Sequence, residues 1–212
     1  MSLTRERMRT PRAAAIAGIL FSGLLSAALL LFLSAVPRDS LERGDWLITG
    51  LGRVAVAINL MPFAGIAFLW FIGVVRDRLA EAEDRLFATV FLGSGLLFLA
   101  MMFVATSVFG AIVLVQTAHP EALRESSTFG LARAFAFTIV NVYAIRMAGV
   151  FMLITSTIAL RTAFIARWMA APGFLMGLFL LFASHWIDWS FIVFPAWTFL
   201  LSVYLLFNSA KS

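Results

Sequence analysis

The sequence reads as an all-α polytopic membrane protein: six transmembrane helices joined by short loops, with both termini cytoplasmic. Three observations lead there. Of 212 residues, 62% are hydrophobic and 13% charged, against about 25% charge in soluble domains, and the mean hydropathy is +0.99. The apolar residues fall in runs long enough to cross the bilayer, which takes about 20 helical residues. The segments between runs are alternately rich and poor in arginine. No connecting segment is long enough for a soluble domain, so a single transmembrane domain, 1–212, is expected.

The first helix, 13–36, follows a basic start with Arg5, Arg7, Arg9 and Arg12. A signal peptide begins similarly, but this run is about twice the usual apolar h-region, so an uncleaved span is expected. Ala14, Gly18, Ser22 and Ser26 recur every four positions, a stripe of small residues that lets another helix approach closely. Pro37 to Asp45 is a charged loop ending at Trp46, where an interfacial aromatic belongs.

The second helix, 47–75, contains Arg53, Asn59 and Pro62. Pro62 cannot donate to the carbonyl of Ile58, so a kink is expected there, with Asn59 beside the freed backbone. Residues 76–85, RDRLAEAEDR, form a mixed-charge turn. Glu83 and Asp84 suit the start of the next helix dipole, and Glu81 stands four residues before Arg85. The third helix, 86–115, carries Gly93 and Gly95 as contact or bending points. A loop with His119, Glu121, Arg124 and Glu125 leads to the fourth helix, 131–160. The fifth, 170–184, is the shortest, with Pro172 tolerated in its first turn. The turn HWIDWS, 185–190, enters the sixth, 190–207.

Ten basic residues fall on one side of these spans (Arg5, Arg7, Arg9, Arg12, Arg76, Arg78, Arg85, Arg161, Arg167 and Lys211) and three on the other (Arg38, Arg43 and Arg124). By the positive-inside rule the richer side, and with it both termini, is cytoplasmic; the expected location is the plasma (bacterial inner) membrane. Trp46, Trp186 and Trp189 then mark the outer boundary, and Trp70 and Trp168 the inner one. The arginines are dispersed at helix ends, which argues against nucleic acid and for the lipid bilayer as partner. The absence of cysteine excludes disulfides, thiolate metal sites and thiol nucleophiles. No nucleotide or hydrolase motif occurs, and neither a metal nor a cofactor is expected.

A weak repeat runs through the first four helices. Ser22-Gly23-Leu24-Leu25 recurs as Ser94-Gly95-Leu96-Leu97, and Gly50-Leu51-Gly52-Arg53 as Gly130-Leu131-Ala132-Arg133. Parallel duplication of a helix pair explains the order, and so does chance in an apolar alphabet.

Chemistry centres on Arg146, in the middle of the fourth helix. An arginine at that depth costs about 2.5–3.5 kcal/mol on insertion scales, so it is expected to face protein, trapped water or a bound anion. No Asp or Glu lies within any of the six spans. At 100° per residue Tyr143, Arg146, Gly149, Leu153 and Thr157 share a face, the candidate pore or pocket wall. Asn141 points largely away from that face, and with Asn59 it is a candidate amide partner of the charge. The alternative is a structural arginine that locks helices together. Arg53 and Arg133 lie within two turns of the outer helix ends and are expected to snorkel, or to ring an outer vestibule with Asp45, Glu125 or Asp188. His119, His185 and Asp188 share the outer side, but two histidines in unrelated loops lack metal-ligand spacing.

Three functions follow from these residues. The first is a small ion or anionic-solute channel or transporter, a homo-oligomer with a polar path near Arg146. The second is a non-catalytic membrane partner or scaffold subunit that docks through the small-residue stripe of the first helix. The third is an enzyme acting on lipid or quinone through His119, His185 and Asp188, for which no recognisable catalytic set exists.

Overall fold

The structure, a computed structural model, describes residues 9–37, 44, 46–80, 85–119, 126–162, 167–183 and 190–208. Among these the chain is almost wholly helical and forms no strand. The order is α1 (Arg9–Ala35), a single turn α2 (Trp46–Thr49), α3 (Leu51–Ala80), α4 (Arg85–Ala118), α5 (Ser127–Thr138), a π-helical segment (Ile139–Ala144), α6 (Ile145–Thr162), α7 (Arg167–Phe182), a 3₁₀ turn (Ser190–Ile192) and α8 (Val193–Asn208).

Five stretches among the described residues are long and apolar enough to cross a membrane: Arg12–Ala35, Leu51–Arg76, Arg85–Ala118, Ser127–Arg161 and Ser190–Phe207. The expected fifth span is the exception. α7 has 16 residues, about 24 Å at 1.5 Å per residue, which falls short of roughly 30 Å of hydrocarbon.

Local chemistry moves several boundaries. Ser126 takes an extended conformation and its Oγ accepts from the Thr128 amide at 3.1 Å, so the fourth span begins at Ser127, four residues before the expected 131. Pro62 lies inside α3, which remains helical on both sides of it. Glu81, Glu83 and Asp84 fall outside the described residues.

α1 packs between α3 and α8, α3 packs on α4, α4 supports the whole fourth span, and α6 pairs with α7. Water drives no helix association in lipid, so contacts depend on close packing. Five helices each send one phenylalanine to a common centre: Phe21, Phe68, Phe98, Phe151 and Phe194, all buried. Phe21 stacks on Phe68 with centroids 4.3 Å apart, and Phe194 stands edge-on to Phe98 at 4.8 Å and to Phe151 at 5.7 Å. The bundle axis is therefore filled with aromatic rings at this level. A second core holds Trp46, Leu47, Val54, Phe109, Ile112 and Phe129.

Glycines set the closest approaches. A Cβ on Gly149 would stand 2.8 Å from the Gly177 carbonyl oxygen, and one on Gly177 would stand 3.0 Å from that of Gly149, so α6 and α7 touch backbone to backbone. A Cβ on Gly18 would lie 2.0 Å from Ser202 Oγ and 2.9 Å from Phe71. The small-residue stripe of α1 thus seats α8 and α3 of its own chain. The repeated tetrapeptides share one feature: Ser22 and Ser94 each donate to the carbonyl four residues earlier, at 2.7 Å. They diverge at the next residue, since Gly95 packs on Ile72 and Phe151 whereas Gly23 has no neighbour within 4 Å.

Candidate functional site

The fourth span changes winding at its centre. Between Ile139 and Ala144 the backbone is π-helical, and the amide of Ile145 donates to the carbonyl of Val140, five residues back. Such a ladder places residues five apart above one another, and Asn141 and Arg146 are five apart. The π turn therefore corrects the α-helical projection, which pointed Asn141 away from Arg146. Asn141, Tyr143 and Arg146 are all exposed on the outside of the bundle, Tyr143 by 53%, and Thr138 is exposed one turn earlier.

Arg146 does not face the interior of its own bundle, which leaves another protein, water or an anion outside it as the group that could meet its charge. Its Nη1 donates to the Val142 carbonyl at 2.8 Å, and Asn141 Nδ2 donates to the Phe137 carbonyl at 3.0 Å. Both side chains thus bond to carbonyls four residues back, one just before the π segment and one within it. The expected wall from Tyr143 to Thr157 is broken as well. Gly149 is buried against Gly177, and half-buried Thr157 donates to the Leu153 carbonyl at 2.9 Å. The reason is α7, which packs on α6, covers the Gly149 part of that face and leaves the Tyr143 and Arg146 part open.

Asn59 belongs to another wall. It is exposed on α3 and donates to the Ala55 carbonyl at 2.8 Å, a bond to a regular turn and none to the backbone freed at Pro62.

The arginines near the N-terminal ends of α3 and of the fourth span separate sharply. Arg53 is exposed and its guanidinium donates to the carbonyl of Ser34. Arg133, expected to snorkel, is fully buried. It donates to the Pro37 carbonyl at 2.7 Å and lies 5.9 Å from the centroid of Trp46 and 5.7 Å from that of Phe137. Both arginines thus hold carbonyls at the C-terminal end of α1, the negative end of its dipole. Trp46 is buried with Arg133 inside the protein. Phe129 and Phe137, four residues to either side of Arg133, are the sequence signal for this burial, because i±4 aromatics share its helix face.

His119 is exposed just beyond α4. His185, Asp188, Asp45 and Glu125 lie outside the described residues, as do Trp186 and Trp189. Trp70 and Trp168, expected at the inner boundary, are exposed by 66% and 68%. Among the described residues no three His, Cys, Asp or Glu side chains gather in one place.

A cavity of about 20 Å³, lined among others by Leu25, Leu29, Phe98, Met102, Ala144 and Phe194, lies behind the π segment. It is about the size of one water, but its apolar wall offers no side-chain hydrogen bond to hold one.

Sequence reasoning also missed a polar seam beside the aromatic core. Ser156, Trp197 and Ser202 are buried, and Ser156 Oγ, Trp197 Nε1 and Ser202 Oγ find no hydrogen-bond partner among the described residues. Glycine faces these atoms: a Cβ on Gly173 would stand 2.0 Å from Ser156 Oγ and 3.0 Å from Trp197 Nε1.

Helix length, composition and packing together describe a multi-pass α-helical membrane protein. Comparison with known protein families, curated proteins and solved structures finds no match.

Proposed function

We propose that the chain is the integral-membrane subunit of a larger assembly, which it joins through the Asn141, Tyr143 and Arg146 face of the fourth span. One observation carries this reading: a cation near the centre of the span is turned outward, while the interior is closed by phenylalanine. Exposed to acyl chains, that cation keeps its insertion cost, and a neighbouring protein relieves it. The reading includes six spans with short α7 as the fifth of them, both termini cytoplasmic and the bacterial inner membrane as the site. The asymmetry of basic residues supports that orientation.

A photo-crosslinking amino acid at position 143 tests the proposal in the native membrane. Adducts to protein are expected at 143 and only lipid adducts at position 63, where Phe63 is exposed on α3. Lipid adducts alone at both positions would refute it.

Permeation is the second reading. Because Arg146 faces outward, a polar path lined by it belongs between copies of a homo-oligomer and not inside one chain. Ion or anion flux in liposomes that Arg146→Ala alters would favour this reading.

A further inference from the structure

We propose that the partner on the Asn141, Tyr143 and Arg146 face carries a carboxylate, Asp or Glu, near the middle of one of its own transmembrane helices. The inference rests on the subunit reading above and adds the partner's chemistry.

Depth comes first. The guanidinium donates to Val142, which lies 15 residues from Ser127 and 19 from Arg161, the ends of the 35-residue span. At 1.5 Å per residue the helix is about 52 Å long. A hydrocarbon core of about 30 Å centred on it puts Val142 roughly 12 Å inside the nearer boundary, farther than a side chain already bonded to its own helix extends. Lipid phosphates stay at the two surfaces, so they cannot meet a charge held at this depth. The partner group must itself lie inside the membrane.

Charge selects the class. No Asp or Glu occurs in any span of this chain, so a second copy would bring another Arg146 and no counter-charge. A carboxylate accepts two parallel bonds from the guanidinium fork, whose five N–H groups exceed what one backbone carbonyl can take. Asn141, also exposed and five residues before Arg146 along a π-helical ladder, offers an amide beside the charge.

Arg133 shows how the chain treats an arginine that it solvates itself. That side chain is fully buried, donates to Pro37 and is bordered by Trp46 and Phe137. Arg146, 13 residues further along the same span, has its guanidinium on the open side.

The probe is a synthetic single-span helix of leucine and alanine, about 20 residues long, with Glu, Gln or Leu at its centre. Its association with the full-length protein in phosphatidylcholine vesicles is read by energy transfer. The Glu helix is expected to bind roughly tenfold tighter than the Leu helix, with the Gln helix between them. Arg146→Leu should erase the Glu preference and Arg53→Leu should keep it. A Glu helix no tighter than the Leu or Gln helix, or a preference that survives Arg146→Leu, overturns the proposal.

Mapping the crosslinks from position 143 separates this failure from that of the subunit reading. A crosslinked partner span with an acid supports the proposal. A span without one, or a second copy of this chain, overturns it while the subunit reading stands. Lipid adducts alone overturn both.

Discussion

Replacing Gly149 by alanine should loosen the α6–α7 pair. The added Cβ would stand 2.8 Å from the Gly177 carbonyl oxygen, whereas ordinary contact begins at 3.4 Å, a shortfall of 0.6 Å. The obstacle is backbone, so no rotamer change relieves it, and Leu180 Cβ and Leu181 Cγ at 3.2 Å block sideways movement. Overpacking of this kind costs about 1–3 kcal/mol. Gly93→Ala is the control, since no atom lies within 4 Å of its would-be Cβ; it should be neutral, or stabilising by up to about 1 kcal/mol through helix propensity. Gly177→Ala meets the reciprocal carbonyl at 3.0 Å. Once the helices have parted for one methyl the second is partly accommodated, so the double variant should be less damaged than the sum, by about 0.5 kcal/mol or more. The assay is reversible unfolding in mixed SDS and detergent micelles, followed by circular dichroism. A Gly149→Ala protein as stable as Gly93→Ala would refute the close backbone contact.

The remaining predictions use the same assay unless stated. Phe68→Ala, at the centre of the aromatic cluster, should cost about 3–5 kcal/mol, while Phe63→Ala on the lipid face should cost almost nothing. Arg133→Ala should cost roughly 2–4 kcal/mol, from a lost charged hydrogen bond and the space left behind, and change the emission of buried Trp46; Arg53→Ala should change neither much. Ser202→Ala should be neutral or stabilising by up to about 1 kcal/mol, because it removes a buried hydroxyl oxygen without a described hydrogen-bond partner. In the naturally cysteine-free chain, an impermeant maleimide added outside intact cells should label His119→Cys and leave Arg85→Cys unlabelled; the reverse pattern would invert the proposed topology.

The spans were legible because a bilayer forces a long apolar run on any helix that crosses it, and arginine between the runs punctuates them. Which side of each helix turns inward was not. In lipid both faces are apolar, so the 22 phenylalanines carry no periodic mark to distinguish Phe68 in the core from Phe63 outside it. Arg146 was legible at the middle of the long fourth span, whereas the side of the bundle it takes was not. Projection at 100° assumes one winding along the span, and the π turn at 139–144 shifts the phase between Asn141 and Arg146 without a signature in composition. Arg133 failed for a different reason: its distance from the helix end predicted snorkelling, but α2 lays Trp46 over it and the chain beyond α1 supplies the Pro37 carbonyl. Gly149 was placed on the wall of Arg146, and short α7 divides that wall by covering Gly149 and leaving Arg146 open.

Spin-label accessibility in the purified protein tests the outward orientation most directly. Labels on Tyr143→Cys and Phe151→Cys, in lipid nanodiscs, are compared for collision with oxygen and with a water-soluble nickel complex. The account predicts high oxygen and low nickel accessibility at 143, and low accessibility to both at 151, where the native side chain is fully buried. A label at 143 that nickel reaches freely would mean that the Arg146 face lines an aqueous path, and the outward-facing contact surface would be wrong.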